Sequence, residues 1–135
     1  MPPRRLRLYF DGGCRPNPGA IETAVVVRGI EHVQRDAGIG DNADAEWLAL
    51  IHAADVARAM LADMPDAPDV EFLGDSTQVI AQAGGDQPCR DARFVAHRAR
   101  FLALTGDMAR VRLRHVRRSQ NLAGIVLDRR LRHIG

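Results

Sequence analysis

The sequence predicts an α/β domain built on a mixed five-stranded sheet, and two observations carry that expectation. Three strand-patterned segments follow one another near the N-terminus with short turns between them. The rest of the chain then interleaves helix-like and strand-like segments, for an overall order βββ-α-β-α-α-β-α. Arg5-Leu6-Arg7-Leu8-Tyr9-Phe10 alternates and then turns apolar, which reads as a strand ending at Asp11. Gly12-Gly13 and Arg15-Pro16-Asn17-Pro18-Gly19 form a turn-rich loop. Ala20 to Arg28 is a second strand, and Gly29 turns it into a third, roughly Glu31 to Ala37, completing an antiparallel meander. Asp41 or Asn42 can cap a long helix to about Met64, with Trp47, Leu48, Ile51, Ala54 and Leu61 available to its buried side; Pro65 and Pro68 end it.

Val70-Glu71-Phe72-Leu73-Gly74 is a short strand that delivers Asp75 to its C-terminal end, and Ser76 opens a short helix to about Ala83. Gly84-Gly85 and Pro88 break the chain before a helix from Ala92 to Leu104. Val111 to Val116 alternates as a half-buried strand with a basic outer face, and Gln120 to His133 is the last helix.

At 135 residues, with 46% apolar and 27% charged residues, one folded domain over 1–135 and a monomer are expected, and disordered or fibrous classes are excluded. No apolar run approaches the ~20 residues a bilayer span needs, and Met1-Pro2-Pro3-Arg4-Arg5 lacks the apolar segment of a signal peptide. Cys14 and Cys89, with no CxxC and no nearby His pair, read as free thiols, so a reducing cytoplasm is the expected location. The net charge of +2 hides an asymmetry: residues 1–89 hold 7 Arg against 14 acidic residues, whereas residues 90–135 hold 12 Arg against 3 Asp, and there is no Lys. Acidic and basic parts in one small chain suit a protein that holds cations and a polyanion side by side, although solvated helix faces would also account for the arginines.

Three carboxylates stand out. Asp11 ends a strand before a glycine pair, Glu46 lies in the first turns of the long helix, and Asp75 ends a strand and opens a helix. Singly, each has an ordinary explanation as turn former, helix cap or dipole partner. Jointly, if the first and fourth strands are neighbours, Asp11 and Asp75 emerge side by side and the long helix can bring Glu46 between them. Three carboxylates in one cleft repel unless a cation joins them, and hard oxygen ligands without His or Cys favour Mg²⁺ or Mn²⁺.

Four segments also resemble a known family in order along the chain. Asp11-Gly12-Gly13-Cys14-Arg15-Pro16-Asn17-Pro18-Gly19 is similar to the Asp-Gly-(Ser/Gly)-Cys-x-x-Asn-Pro-Gly signature of type 1 ribonuclease H. Asn42-Ala43-Asp44-Ala45-Glu46-Trp47-Leu48-Ala49-Leu50 resembles its Asn-x-x-Ala-Glu-x-x-Ala-Leu helix. Gly74-Asp75-Ser76-Thr77-Gln78-Val79-Ile80 resembles its strand-then-helix segment, and Val116-Arg117-Arg118-Ser119-Gln120-Asn121-Leu122-Ala123 the stretch that closes its site.

The resemblance implies a ribonuclease H-like fold, with three antiparallel strands then two parallel ones and helices on both faces. It implies hydrolysis of the RNA strand of an RNA·DNA hybrid with two divalent ions, leaving a 5′-phosphate and a 3′-hydroxyl. By carry-over Asp11 would bridge both ions while Glu46 and Asp75 hold the second. Cys14 (through its backbone), Arg15, Asn17, Asn42 and Thr77 match positions near the nucleic acid, where a bond to the 2′-OH tells RNA from DNA. For Asn17 and Asn42, turn and cap roles remain open. Arg117 and Arg118, in a loop beside the expected cleft, are candidates for phosphate contacts.

The resemblance also breaks in places. The family's fourth carboxylate falls on Gly124. Asp128 lies one helical turn on, ~6 Å along the axis, and is either a surrogate ligand or a partner for Arg132 at i+4. No His stands between Arg117 and Asn121 to match the family's mobile one, though His115 lies just before; residues 84–93 are too short for the family's basic protrusion; Glu22 and Thr23 replace usual glycines, and Asp41 a usual Thr. Three carboxylates facing two divalent ions leave a charge that the scissile phosphate could complete, so an attenuated enzyme is one reading. A hybrid- or duplex-binding module of the same fold without useful catalysis is the other. The phosphate hairpin of an actin-like ATPase, a third reading of Asp11-Gly12-Gly13, needs two lobes and far more chain.

Overall fold

The structure, a computed structural model, describes residues 5–134, and the side chains from 131 onward are outside that description. The reading of Met1 to Arg4 and the pairing of Asp128 with Arg132 therefore lie outside the described residues. The elements are β1 (Arg5–Cys14), β2 (Gly19–Val27), β3 (Ile30–Gln34), β4 (Ile39–Gly40), α1 (Asn42–Leu61), β5 (Asp69–Gly74), α2 (Thr77–Gly84), α3 (Ala92–Thr105), β6 (Val111–His115) and α4 (Leu122–Ile134), with a 3₁₀ turn at Arg118–Gln120. The sheet runs β3-β2-β1-β5-β6, antiparallel from β3 to β1 and parallel from β1 to β6. This is the expected mixed sheet with one addition: β4, two residues long, pairs Gly40 with Gly19 and Ile39 with Ala20. Two residues show no alternation, so nothing in the sequence marks it.

Boundaries differ from expectation where side chains or glycines settle them. β1 does not end at Asp11: Gly12, Gly13 and Cys14 continue the pairing, opposite Thr23, Glu22 and Ile21. Gly12 is required there because a Cβ would stand 2.0 Å from the Ala45 carbonyl oxygen of α1. Arg28 and Gly29, both at positive φ, make the two-residue hairpin turn into β3, which stops at Gln34 rather than near Ala37. Asp41, not Asn42, caps α1: its side chain accepts from the Asp44 amide at 3.0 Å while Asp44 Oδ2 accepts from the Asp41 amide at 3.2 Å. α1 ends at Leu61, short of Met64. Ser76 caps α2, accepting from the Val79 amide at 3.2 Å. α4 begins two residues later than Gln120, because Asn121 Oδ1 accepts from the Ala123 amide and starts the helix there.

The continuous run Ala24-Val25-Val26-Val27 is apolar because both faces of β2 are covered. Val25 and Val27 join Leu6, Leu8, Phe10, Trp47, Leu50, Phe72 and Phe101 in the larger core under α1 and α3, with Leu48 and Leu61 partly buried against it. Ala24 and Val26 pack with Ala123, Val126 and Leu127 of α4 on the other face. Trp47 Nε1 donates to Gln82 Oε1 at 3.0 Å, tying α1 to α2 inside the core. Helices thus lie on both faces. Among the described residues no helix is long and apolar enough to cross a membrane.

Candidate active site

Parallel pairing of β1 with β5 sets Tyr9 against Leu73, so two residues on, Asp11 within β1 and Asp75 just past the end of β5 come side by side. Gly12 lets α1 lie close enough for Glu46, one residue past Ala45, to reach the same point. The result is a triad in which one carboxylate oxygen from each of Asp11, Glu46 and Asp75 lies within 4.8 Å of the other two. Asp11 is 1% exposed. Its Oδ1 and Glu46 Oε2 are buried acceptors without a hydrogen-bond partner among the described residues.

Burial pushes the Asp11 carboxyl up from 3.8 to about 6, with the nearby Asp75 charge adding to the effect and a hydrogen bond with Glu46 opposing it. Burial and then the Asp11 charge hold Glu46 well above the usual carboxylate range. Two buried acids in contact titrate as a pair. Unsatisfied hard oxygens that resist joint ionisation fit a divalent cation, which all three residues could hold.

The surrounding side chains fix Asp75. Asn121, fully buried, donates through Nδ2 to Asp75 Oδ2 at 2.9 Å and to the Phe10 carbonyl at 3.0 Å. His115 Nε2 donates to the Asp75 carbonyl at 3.2 Å. Sequence reasoning gave neither residue a role. Asn121 was visible only as a match to a family segment, and a contact spanning 46 positions leaves no periodic trace.

Asp128 does not join the triad. It accepts from Arg118 Nη2 at 3.1 Å, and the same guanidinium reaches Asp75 Oδ1 at 3.9 Å through Nη1. Arg118 therefore links Asp128 to the cluster as a cation. Gly124, by contrast, sits on it: a Cβ there would stand 3.4 Å from Asp11 Oδ2, an ordinary contact.

The other sequence candidates separate into two groups. Cys14, Asn17 and Asn42 meet: Cys14 Sγ lies 3.5 Å from Asn17 Oδ1 and 3.4 Å from Asn42 Oδ1. Arg15, Thr77 and Arg117 are exposed, Thr77 at the start of α2 directly after Asp75-Ser76. Cys14 and Cys89 are free thiols. Two departures from the family pattern have local partners: Glu22 accepts from Arg130 Nη2 at 3.0 Å, and Thr23 Oγ1 lies 2.9 Å from His52 Nδ1.

Asp11 within β1 and Asp75 just past β5, with Glu46 of the packed helix between them, sit on a mixed α/β sheet whose order is that of a ribonuclease H-like fold. No protein-family model and no curated relative matches the chain, but solved structures do. Ribonuclease H1 from the halophilic archaeon Halobacterium salinarum NRC-1 is 29% identical with a TM-score of 0.80, over 92% of this chain and 94% of that one. LC11-RNase H1 in complex with an RNA/DNA hybrid is 24% identical with a TM-score of 0.80, over 93% and 99%. The N-terminal RNase H domain of rv2228c from Mycobacterium tuberculosis, solved as a maltose-binding-protein fusion, is 24% identical with a TM-score of 0.76, over 97% and 99%. The chain is ribonuclease HI-like.

Proposed function

We propose that the protein is an endonuclease that hydrolyses the RNA strand of RNA·DNA hybrids with divalent metal ions, two of them once substrate is bound, at a rate attenuated by the glycine at position 124. The observation that carries this reading is the triad of Asp11, Glu46 and Asp75, with oxygens within 4.8 Å of one another and two buried acceptors unsatisfied. Asp11, the least exposed of the three, would be the shared ligand, with Glu46 and Asp75 holding the second ion. Bound there, Mg²⁺ or Mn²⁺ ions would supply an activated water and stabilise the leaving oxygen of an in-line phosphoryl displacement.

The chain's own groups do the rest. Asn121 and His115 hold Asp75 in place, and Arg118 offers a guanidinium to the phosphates beside the cut. Cys14, Asn17 and Asn42 form a polar lip on the adjoining strand and helix, where contact with a 2′-OH distinguishes RNA from DNA. The likeness to ribonuclease H1 structures supports the reaction class. The three-carboxylate ligand set supports attenuation, since the first ion loses an anionic ligand.

The test is incubation of a hybrid labelled on either strand with EDTA, Mg²⁺ or Mn²⁺. Cleavage confined to the RNA strand and dependent on the ion is the expected result. Tight hybrid binding without cleavage under either ion would overturn the enzyme reading in favour of a binding module of the same fold.

A further inference from the structure

On the sheet face that carries α4, the helix packs over β1 and β2, while the edge strand β6 presents arginines. Val111 and Leu113 of β6 pack toward the larger core, so the alternation of the strand turns Arg112 and Arg114 to the α4 side. The register sets Arg7, Glu71 and Arg112 in one row and Tyr9, Leu73 and Arg114 in the next, nearer the strand ends that carry Asp11 and Asp75. Glu71, the acid of the first row, is already engaged: it is buried, accepts from Arg7 Nε at 2.9 Å and lies 3.8 Å from Arg5 Nη1. No carboxylate pairs with Arg112, Arg114 or Arg117 among the described residues.

Edge-strand β6 therefore carries Arg112 and Arg114, and the segment that follows it adds Arg117 and Arg118, a line of cations that ends 3.9 Å from Asp75. Arg114 and Arg117 are exposed and Arg112 is half-buried; without carboxylate partners, such guanidiniums repel one another and favour a polyanion with regularly spaced charges. Successive members on the strand are about 6.6 Å apart, at ~3.3 Å per residue. We propose that Arg112 and Arg114 bind backbone phosphates of the substrate beyond the cut, extending the cleft along β6 as a sequence-independent rail. This rests on the hybrid-cleaving reading of the triad, because continuity with that site is what selects nucleic acid over another acidic partner.

The test compares the parent with an Arg112→Gln/Arg114→Gln variant, by anisotropy titration of a labelled hybrid across a salt series and by steady-state cleavage. The rail predicts a shallower dependence of log affinity on log salt, by roughly 0.9 for each phosphate no longer neutralised, and a KM about tenfold higher at moderate salt, with kcat changing far less. It also predicts that the difference between the proteins vanishes on hybrids truncated close to the cleavage site. Should the double variant unfold, each single variant reads the same slope one arginine at a time. A salt slope equal to the parent's overturns the rail alone. A parent that neither binds nor cleaves a hybrid overturns the reading of the triad, and the rail with it.

Discussion

Asn121 Nδ2 stands 2.9 Å from Asp75 Oδ2 while the same amide group reaches the Phe10 carbonyl at 3.0 Å. One buried side chain thus joins the loop before α4, β1 next to Asp11 and a carboxylate of the triad. Its Oδ1 is also used, accepting from the Ala123 amide. Asn121→Ala leaves a buried carbonyl and a helix-start amide without partners, which should cost about 1–3 kcal/mol in urea unfolding. Cleavage should fall through kcat more than KM, because Asp75 loses its fixed orientation. Unfolding and kinetics indistinguishable from the parent's would remove Asn121 from the site's support.

Asp11→Asn should abolish cleavage, and its effect on stability has a definite sign. The folded-state acid is raised from 3.8 to about 6, mainly by burial and then by Asp75. In the metal-free protein this contribution is complete below about pH 4 and is lost as pH rises through about 6. Melting in EDTA should therefore fall over that interval. Asp11→Asn, always neutral, should flatten the profile and gain on the order of 2–3 kcal/mol at pH 7–8, the size of a two-unit shift. Mg²⁺ should restore the parent at neutral pH and do little at pH 4–5. A parent melting profile that is flat between pH 4 and 7 in EDTA would contradict this picture of the triad.

Arg117→Ala and Arg118→Ala separate two kinds of electrostatics. Both should weaken hybrid binding and lower the salt slope by roughly 0.9 for each phosphate left without its arginine. Only Arg118 faces the cluster, 3.9 Å from Asp75, where its charge opposes a bound cation. Removing it should tighten divalent-ion binding in the absence of substrate, whereas removing Arg117 should not. Isothermal titration with Mn²⁺ on both variants distinguishes them, and equal ion affinities would leave Arg118 outside the metal's field.

The parts legible in the sequence are those with a short-range signature. Alternation in Arg5 to Phe10 and in Val111 to His115, and the cap ahead of α1, each announced an element. The neighbourhood of Asp11 and Asp75 followed if the first and fourth expected strands were neighbours; the structure sets those strands, β1 and β5, side by side, although β1 runs through Asp11 to Cys14 instead of ending there. The residues that organise the cluster were less visible. Gly12-Gly13 looked like a turn, yet Gly12 is a strand residue whose missing Cβ admits α1. Arg118 meets Asp128 across two elements, and Asn121 meets Phe10 across 111 positions. Such pairs depend on how α4 docks, which no local pattern specifies.

Position 124 is where the structure sharpens the expectation most. A Cβ at Gly124 would lie 3.4 Å from Asp11 Oδ2, so an aspartate there projects its carboxylate into the triad without a backbone clash. Gly124→Asp should lower metal-free stability at neutral pH by adding a fourth like charge, partly offset by the better helix propensity of Asp over Gly. With Mg²⁺ present it should raise ion affinity and speed cleavage by roughly one to three powers of ten, equivalent to ~1.4–4 kcal/mol of transition-state stabilisation. Asp128 is held by Arg118 at 3.1 Å instead of entering the cluster. Asp128→Ala should accordingly change the rate by no more than about fivefold, the weight of an exposed ion pair of ~1 kcal/mol. The opposite pattern, a silent Gly124→Asp and an inactive Asp128→Ala, would make Asp128 the working ligand and require α4 to shift when ions bind. If neither substitution alters the rate of an active parent, three carboxylates suffice, and the glycine is no cause of attenuation.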